Sequence, residues 1–162
     1  MFNASRTPAA RAAWWLAIPI SASLGAGALA QQPSASGSSP QVHQAEVAGA
    51  AGISAQVKAG ESTYQTVCLA CHQADGKGLP GAFPPLAGSD YLLGDKDRAV
   101  GVVVRGLEGE VVVNGVKYNS VMPAMTQLSD QEIADALTFA MNSWGNKGGA
   151  VSVAQVAAVR AK

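Results

Sequence analysis

The sequence predicts a small all-α fold carrying one short β-hairpin, and three observations predict it. In "SDQEIADALTFAMNSW", Ile133, Ala136, Leu137, Ala140, Met141 and Trp144 recur at helical spacing, behind Ser129 as N-cap and Glu132 as its capping-box partner. "EVVVNGVKY" sets valine-rich arms around Asn114-Gly115, a strong two-residue turn signal. The six aromatic residues beyond position 30 all lie between Tyr64 and Trp144, which locates the core.

The N-terminus reads as a segment to be removed. Arg6 and Arg11 precede the apolar run "WWLAIPISASLGAG", and "ALA" at 28–30 is a small-x-small cleavage site before Gln31. This is the pattern of a secretory signal peptide, here residues 1–30, and it predicts export to the periplasm. The alternative is an uncleaved anchor. Its run from Trp14 to Ala30 is 17 residues, interrupted by Pro19, Gly25 and Gly27, against the roughly 20 that a span prefers. Without residues 1–30, the 11 basic residues fall to 9 against 11 acidic, a net charge of −2. Nothing in that balance points to nucleic acid. In an oxidising compartment, two free thiols would be paired or otherwise occupied.

Residues 31–56, "QQPSASGSSPQVHQAEVAGAAGISAQ", contain no aromatic residue and one acid, and are expected to form a flexible linker. His43 lies within it, with no expected role. The domain proper is expected over 57–145, followed by a C-terminal tail, 146–162, closing in a short helix that Ser152 caps. A first helix fits Val57 to Cys68, and a Gly/Pro-rich loop follows through Gly88. A second helix fits Asp95 to Gly106, acids early and glycine at its end. The 88 residues from Val57 to Trp144 hold few large aliphatic side chains. A core that thin needs a staple, a metal or a cofactor.

The chain's two cysteines supply the means. Cys68 and Cys71 are followed at once by His72, and C-x-x-C-H in an exported protein reads as covalent attachment of c-type haem. Two thiols add to the two vinyl groups, and the adjacent imidazole comes within reach of the iron. A thioredoxin-like dithiol would need a preceding strand and a parallel sheet, and neither is legible. Structural zinc would need four ligands, and beyond the motif the chain offers only His43. The second axial position is open to Met122, Met125 or Met141, besides His43. Met141 sits on the apolar stripe of the last helix and reads as core. Met122, held by Pro123 in "NSVMPAMTQLSD", and Met125 three residues on both fit a loop over the ring.

Taken together, "CLACH", "FPPLAGS", "MPAM" and "LSDQEIADALTF" resemble class I cytochromes c, from about Val57 to Trp144. The resemblance implies a class I cytochrome c fold wrapped around one covalent haem, with the hairpin inserted before the distal methionine loop. It implies Cys68 and Cys71 as thioether anchors, His72 as proximal ligand, and Met122 as distal ligand, with Met125 its alternative. A proline carbonyl accepting from the proximal imidazole would be that of Pro84, or else Pro85. Gly60, Tyr64 and Phe139 match the family's helix-crossing contact. "GAFPPLAGSDYLL", "YNSVMPAM" and "NSWGNKGGAV" resemble more narrowly the cytochrome domains that accompany copper nitrite reductases.

A His/Met pair raises the potential and leaves no open position for substrate. The activity implied is one-electron shuttling between protein partners, possessing no enzymatic step, with nitrite reductase or a terminal oxidase as expected partners. The rim of the site would be Gly76 to Pro84, with Leu79, Pro80 and Ala82 apolar, Phe83 packing in the pocket and Lys77 at the border. Arg98, Arg105, Tyr118 and Trp144 carry donors suited to haem propionates, though each also reads as an ordinary surface or core residue. Two other readings stay open: a ligand-binding or catalytic haem protein with an open sixth position, and a membrane-tethered cytochrome subunit of a dehydrogenase or oxidase.

Overall fold

The computed structural model describes residues 40–162. The expected leader, 1–30, and the first part of the expected linker lie outside the described residues. The chain enters through helix α1, Pro40–Thr63. It runs without a break into a π-helical turn, Tyr64–Cys68, and a final helical turn α2, Leu69–His72. Residues 40–56 are therefore helical, where composition alone suggested a linker. The alanines between positions 45 and 55 are the physical reason, because alanine has the highest helix propensity. The helix is also tied down at Gln56, whose Nε2 donates to Val151 O at 3.0 Å.

Helix α3, Asp90–Gly94, is capped by Ser89, whose hydroxyl accepts from Leu92 N. This turn lies in a stretch that carried no helical signal. Helix α4, Lys96–Arg105, is capped by Asp95 and stopped by Gly106 at φ 80°. The hairpin follows, with β1 Val111–Val113 paired antiparallel to β2 Val116–Tyr118. Asn114 and Gly115 both have positive φ, 50° and 77°, as the tight hairpin turn demands. The tip is clasped to α3: Asn114 N donates to Asp90 Oδ1 at 2.8 Å, and Asp90 N donates to Asn114 Oδ1 at 3.0 Å. Helix α5, Asp130–Asn142, carries the full capping box of Ser129 and Glu132. Helix α6, Val153–Arg160, is capped by Ser152.

Helix α5 is the centre of the packing. Ile133, Ala134 and Met141 are fully buried, in a cluster with Val100 and Val104 of α4. The region after Gly145, expected as a tail, is part of this core. Val151 and Val156 are fully buried, Val159 nearly so, and Val151 N donates to Thr138 Oγ1 at 2.9 Å. Asn146 fastens the connecting loop: its Nδ2 donates to Leu86 O and Ala140 O, and its Oδ1 accepts from Gly88 N.

Helices α1 and α5 cross at Gly60. A Cβ there would stand 1.9 Å from Asp135 O, so only glycine permits the approach. One turn on, Tyr64, Phe139 and Trp144 form a triad with ring centroids 5.2–5.5 Å apart. No helix among the described residues is long and apolar enough to cross a membrane.

Candidate haem-binding cavity

The elements close around a cavity of about 220 Å³. Packed interiors hold few voids larger than a water molecule, so a space of this size is a binding site. Its wall includes Ala99, Val102 and Val103 of α4, Val111, Val113 and Tyr118 of the hairpin, and Ala136, Leu137 and Ala140 of α5. No lysine, arginine, aspartate or glutamate lines it. The surroundings suit a bulky, mostly apolar group.

The motif residues lie on this wall. Cys68, Cys71 and His72 follow one another through the π turn and α2, and all three line the cavity. A π turn widens the helix by one residue and commonly marks a functional position. The cysteines are unpaired. Burial, and then the neighbouring Cys71, push the Cys68 thiol up to about 11. Among the described residues there is no cluster of three or more His, Cys, Asp or Glu able to hold a metal ion.

His72 is buried, and burial lowers its pKa, against the opposing effect of its bond to Pro84. Its Nδ1 lies 3.1 Å from Pro84 O. A carbonyl can only accept, so Nδ1 carries the proton and the lone pair is on Nε2. Gly78 makes room for this bond. It sits at φ +65°, and a Cβ there would stand 2.3 Å from Phe83 O and 2.6 Å from Pro84 O. Leu79 and Phe83 close the turn between them with mutual backbone bonds of 2.9 and 2.8 Å.

Both methionines of "MPAM" also line the cavity. Met122 is bridged to Leu107, its N donating to Leu107 O at 2.9 Å and its O accepting from Leu107 N at 2.8 Å. Met125 N donates to Val103 O at 2.9 Å, and the Met125 thioether accepts from Gln127 Nε2 at 3.6 Å. Met141 is fully buried in the core and does not line the cavity. Pro84, Pro85 and Phe83 all do.

Of the four donors considered for propionates, Tyr118 alone lines the cavity. Arg98 donates to Tyr91 O at 2.6 Å and stacks 4.1 Å above the Tyr91 ring. Arg105 donates to Val159 O, and Trp144 Nε1 donates to Ala74 O, both at 3.0 Å. Each of these side chains is legible in the sequence as a donor, and its tertiary partner is not. The positioning role of Gly78 was not legible there, nor was the rim serine Ser120, whose hydroxyl donates to Ala82 O. Gly78 looked like loop punctuation, and nothing local distinguishes it from Gly81, which has open space around it.

Residues 55–139 match the family model described as cytochrome C oxidase, cbb3-type, subunit III. Cytochrome c-552 of Thermus thermophilus is 45% identical over 83 residues, covering 49% of this chain and 63% of that protein. The cytochrome c subunit of alcohol dehydrogenase (quinone) from Gluconacetobacter polyoxogenes is 37% identical over 105 residues, 62% of this chain and 22% of the subunit. The gluconate 2-dehydrogenase cytochrome c subunit of Pantoea cypripedii is 36% identical over 107 residues, with 24% of it covered. The chain thus spans less than two thirds of these relatives' own lengths. With more than half of its residues matched by the family model, the chain belongs to the cytochrome c family of the cbb3-type subunit III kind, electron carriers with covalently bound haem c.

Proposed function

We propose that the chain is an exported mono-haem electron carrier in which Cys68 and Cys71 hold haem c through thioether bonds, with His72 and Met122 as axial ligands. The observation that carries this reading is the uncharged cavity whose wall joins two unpaired cysteines to a histidine with Nδ1 committed to Pro84 O. When bound, haem c supplies a couple that takes up or gives up one electron. The chain's residues set the conditions for it. The Pro84 carbonyl fixes the His72 tautomer and makes its free nitrogen more basic. The apolar lining excludes water, and burial together with a thioether ligand keeps the potential high.

Met122 is favoured over Met125 by one feature. The backbones of both are fastened, but the Met125 thioether is already engaged by Gln127. With both axial positions taken, substrate has no place to bind, and the chain's task reduces to passing electrons.

Partners would approach beside the cavity mouth. Leu79 is 50% exposed on the expected rim, and Val121, which lines the cavity, is 65% exposed. Lys77 pairs with Asp75 at 3.4 Å and Lys117 with Glu110 at 2.9 Å, so no basic ring surrounds the site. Such a patch suits brief encounters between redox proteins. The partner classes are a dehydrogenase, in line with the two relatives named as dehydrogenase subunits, and a nitrite reductase or terminal oxidase, in line with the sequence details noted above. Residues 1–30 are read as a cleaved signal, leaving a periplasmic protein. Carbonate extraction of membranes and the mass of the mature chain test that reading.

Visible spectra of the exported protein test the site. The oxidised wild type should show the weak far-red sulfur-to-iron band, and Met122→Ala should lose it while Met125→Ala keeps it. A wild type without the band that takes up carbon monoxide readily has an open sixth position, and the carrier reading then gives way to sensing or catalysis.

A further inference from the structure

We infer that Gly106 is the positioning residue that seats Met122, because its missing side chain lets the methionine strand lie against the end of α4. This rests on the reading of Met122 as axial ligand. Helix α4 ends with Gly106 N bonded to Val102 O at 2.8 Å, and Gly106 takes up φ 80°. The next residue, Leu107, exchanges both backbone bonds with Met122, at 2.8 and 2.9 Å. A third bond, Met125 N to Val103 O at 2.9 Å, holds the far end of the strand. Both sulfurs therefore hang from a strand fastened to the last turn of α4 and the residue after it.

The fastening works only over a bare glycine. A Cβ on Gly106 would stand 2.7 Å from Met122 O, 2.9 Å from Ala124 N and 3.3 Å from Pro123 C. All three are backbone atoms of the strand, so no side chain can rotate away to relieve the contact. The strand itself must move, and Met122 moves with it. Loss of the Leu107 bridge then frees the thioether to leave its seat.

A second glycine in the same connection separates this effect from ordinary backbone strain. Gly109 sits at φ +96° with nothing within 4 Å of a built Cβ. Alanine at 109 carries the left-handed penalty and no clash. Alanine at 106 carries both.

The experiment uses the full-length holoprotein as wild type, Gly106→Ala, Gly109→Ala and Met122→Ala. Three quantities are read: the far-red band of the oxidised form, carbon monoxide affinity of the reduced form, and melting temperature. Gly106→Ala should weaken or lose the band and bind carbon monoxide about tenfold more tightly, as the fraction with a free sixth position grows by that factor. Gly109→Ala should melt lower yet keep the band and the wild-type resistance to carbon monoxide. If Gly106→Ala matches wild type in both optical readouts, or if Gly109→Ala loses them equally, Gly106 does not seat the ligand. A Met122→Ala protein that keeps the band overturns the inference differently, through the ligand assignment on which it stands. Should Gly106→Ala fail to accumulate, Leu107→Pro removes one donor of the bridge and carries the same expectation and the same refutation.

Discussion

Replacing Gly60 by alanine sets two physical effects against each other. In an isolated helix the change is favourable, because alanine exceeds glycine in helix propensity by about 1 kcal/mol. In this protein the added Cβ would meet Asp135 O at 1.9 Å, Asp135 C at 2.3 Å and Ala136 N at 2.9 Å, where ordinary contact begins at 3.4 Å. Helices α1 and α5 must part by more than an ångström, since every atom met is backbone. Forced overpacking costs about 1–3 kcal/mol, and a rigid backbone contact belongs at the upper end. The net expectation is a loss of about 2 kcal/mol, or roughly 6–10 °C in melting temperature. The displacement should also reach the cofactor, because Tyr64 on the α1 side and Ala136 on α5 both line the cavity. Thermal unfolding of the holoprotein, followed at 222 nm and in the Soret band, reads both effects. Gly52→Ala in the same helix is the reference, with nothing within 4 Å of its Cβ; it should stabilise by up to about 1 kcal/mol. A Gly60→Ala protein that melts at or above wild type would refute the crossing argument.

Two further substitutions probe the cavity and the loop that closes it. Gly78→Ala drives a Cβ against Pro84 O and should break the bond from His72 Nδ1; the imidazole becomes a weaker donor, and the reduction potential should rise in a spectroelectrochemical titration. Pro84→Ala keeps the carbonyl and should leave the potential near wild type, whereas an equal shift in both variants would show that the bond does not tune the site. Asn146→Ala removes both donors and the acceptor of a buried clasp, taking the amide from Ala140 O and Gly88 N and leaving Leu86 O with the longer bond from Ser89 N; urea unfolding should show a loss of about 2–4 kcal/mol, and a change under about 1 kcal/mol would mean that water replaces the amide.

Local signals in the sequence carried far where local chemistry decides the outcome. Asp95 and Gly106 bound α4 as their capping chemistry requires, and the Asn114-Gly115 turn forms with both residues at positive φ. Ser129 with Glu132, and Ser152 with Gln155, each form a complete capping box. The C-x-x-C-H motif marked the wall of the cavity because its spacing is itself the chemistry. Reading failed where tertiary packing decides. Residues 40–56 offered no apolar stripe, so their helicity rested on alanine propensity and on continuity with the packed end of α1. The valines of α6 sit among alanines and look like a weak tail, yet Val156 is fully buried because α4 and α5 leave a face for it. Trp144, Arg98 and Arg105 showed donors without showing what they reach.

Gly78 and Gly106 read in the sequence as punctuation and Gly60 as a match to a helix-crossing contact, and the structure gives all three one physical task. Each admits a backbone segment where any side chain would exclude it: α5 at Asp135, the Pro84 carbonyl, and the Met122 strand. The described residues spend much of their apolar side-chain volume on lining a large cavity. A cavity of about 220 Å³ left unfilled would cost about 5 kcal/mol at the measured cost per unit volume, comparable to the whole stability of a small domain. The group that fills it therefore belongs to the core, and the peptide segments around it must meet one another with nothing between them. Bare glycine contacts supply that closeness without drawing on the limited stock of apolar side chains. The same economy explains why the contacts beside His72 and Met122 on the cavity wall are backbone contacts: the carbonyl at 84 and the bridged strand at 122, both packed against glycines whose closeness appears only in three dimensions.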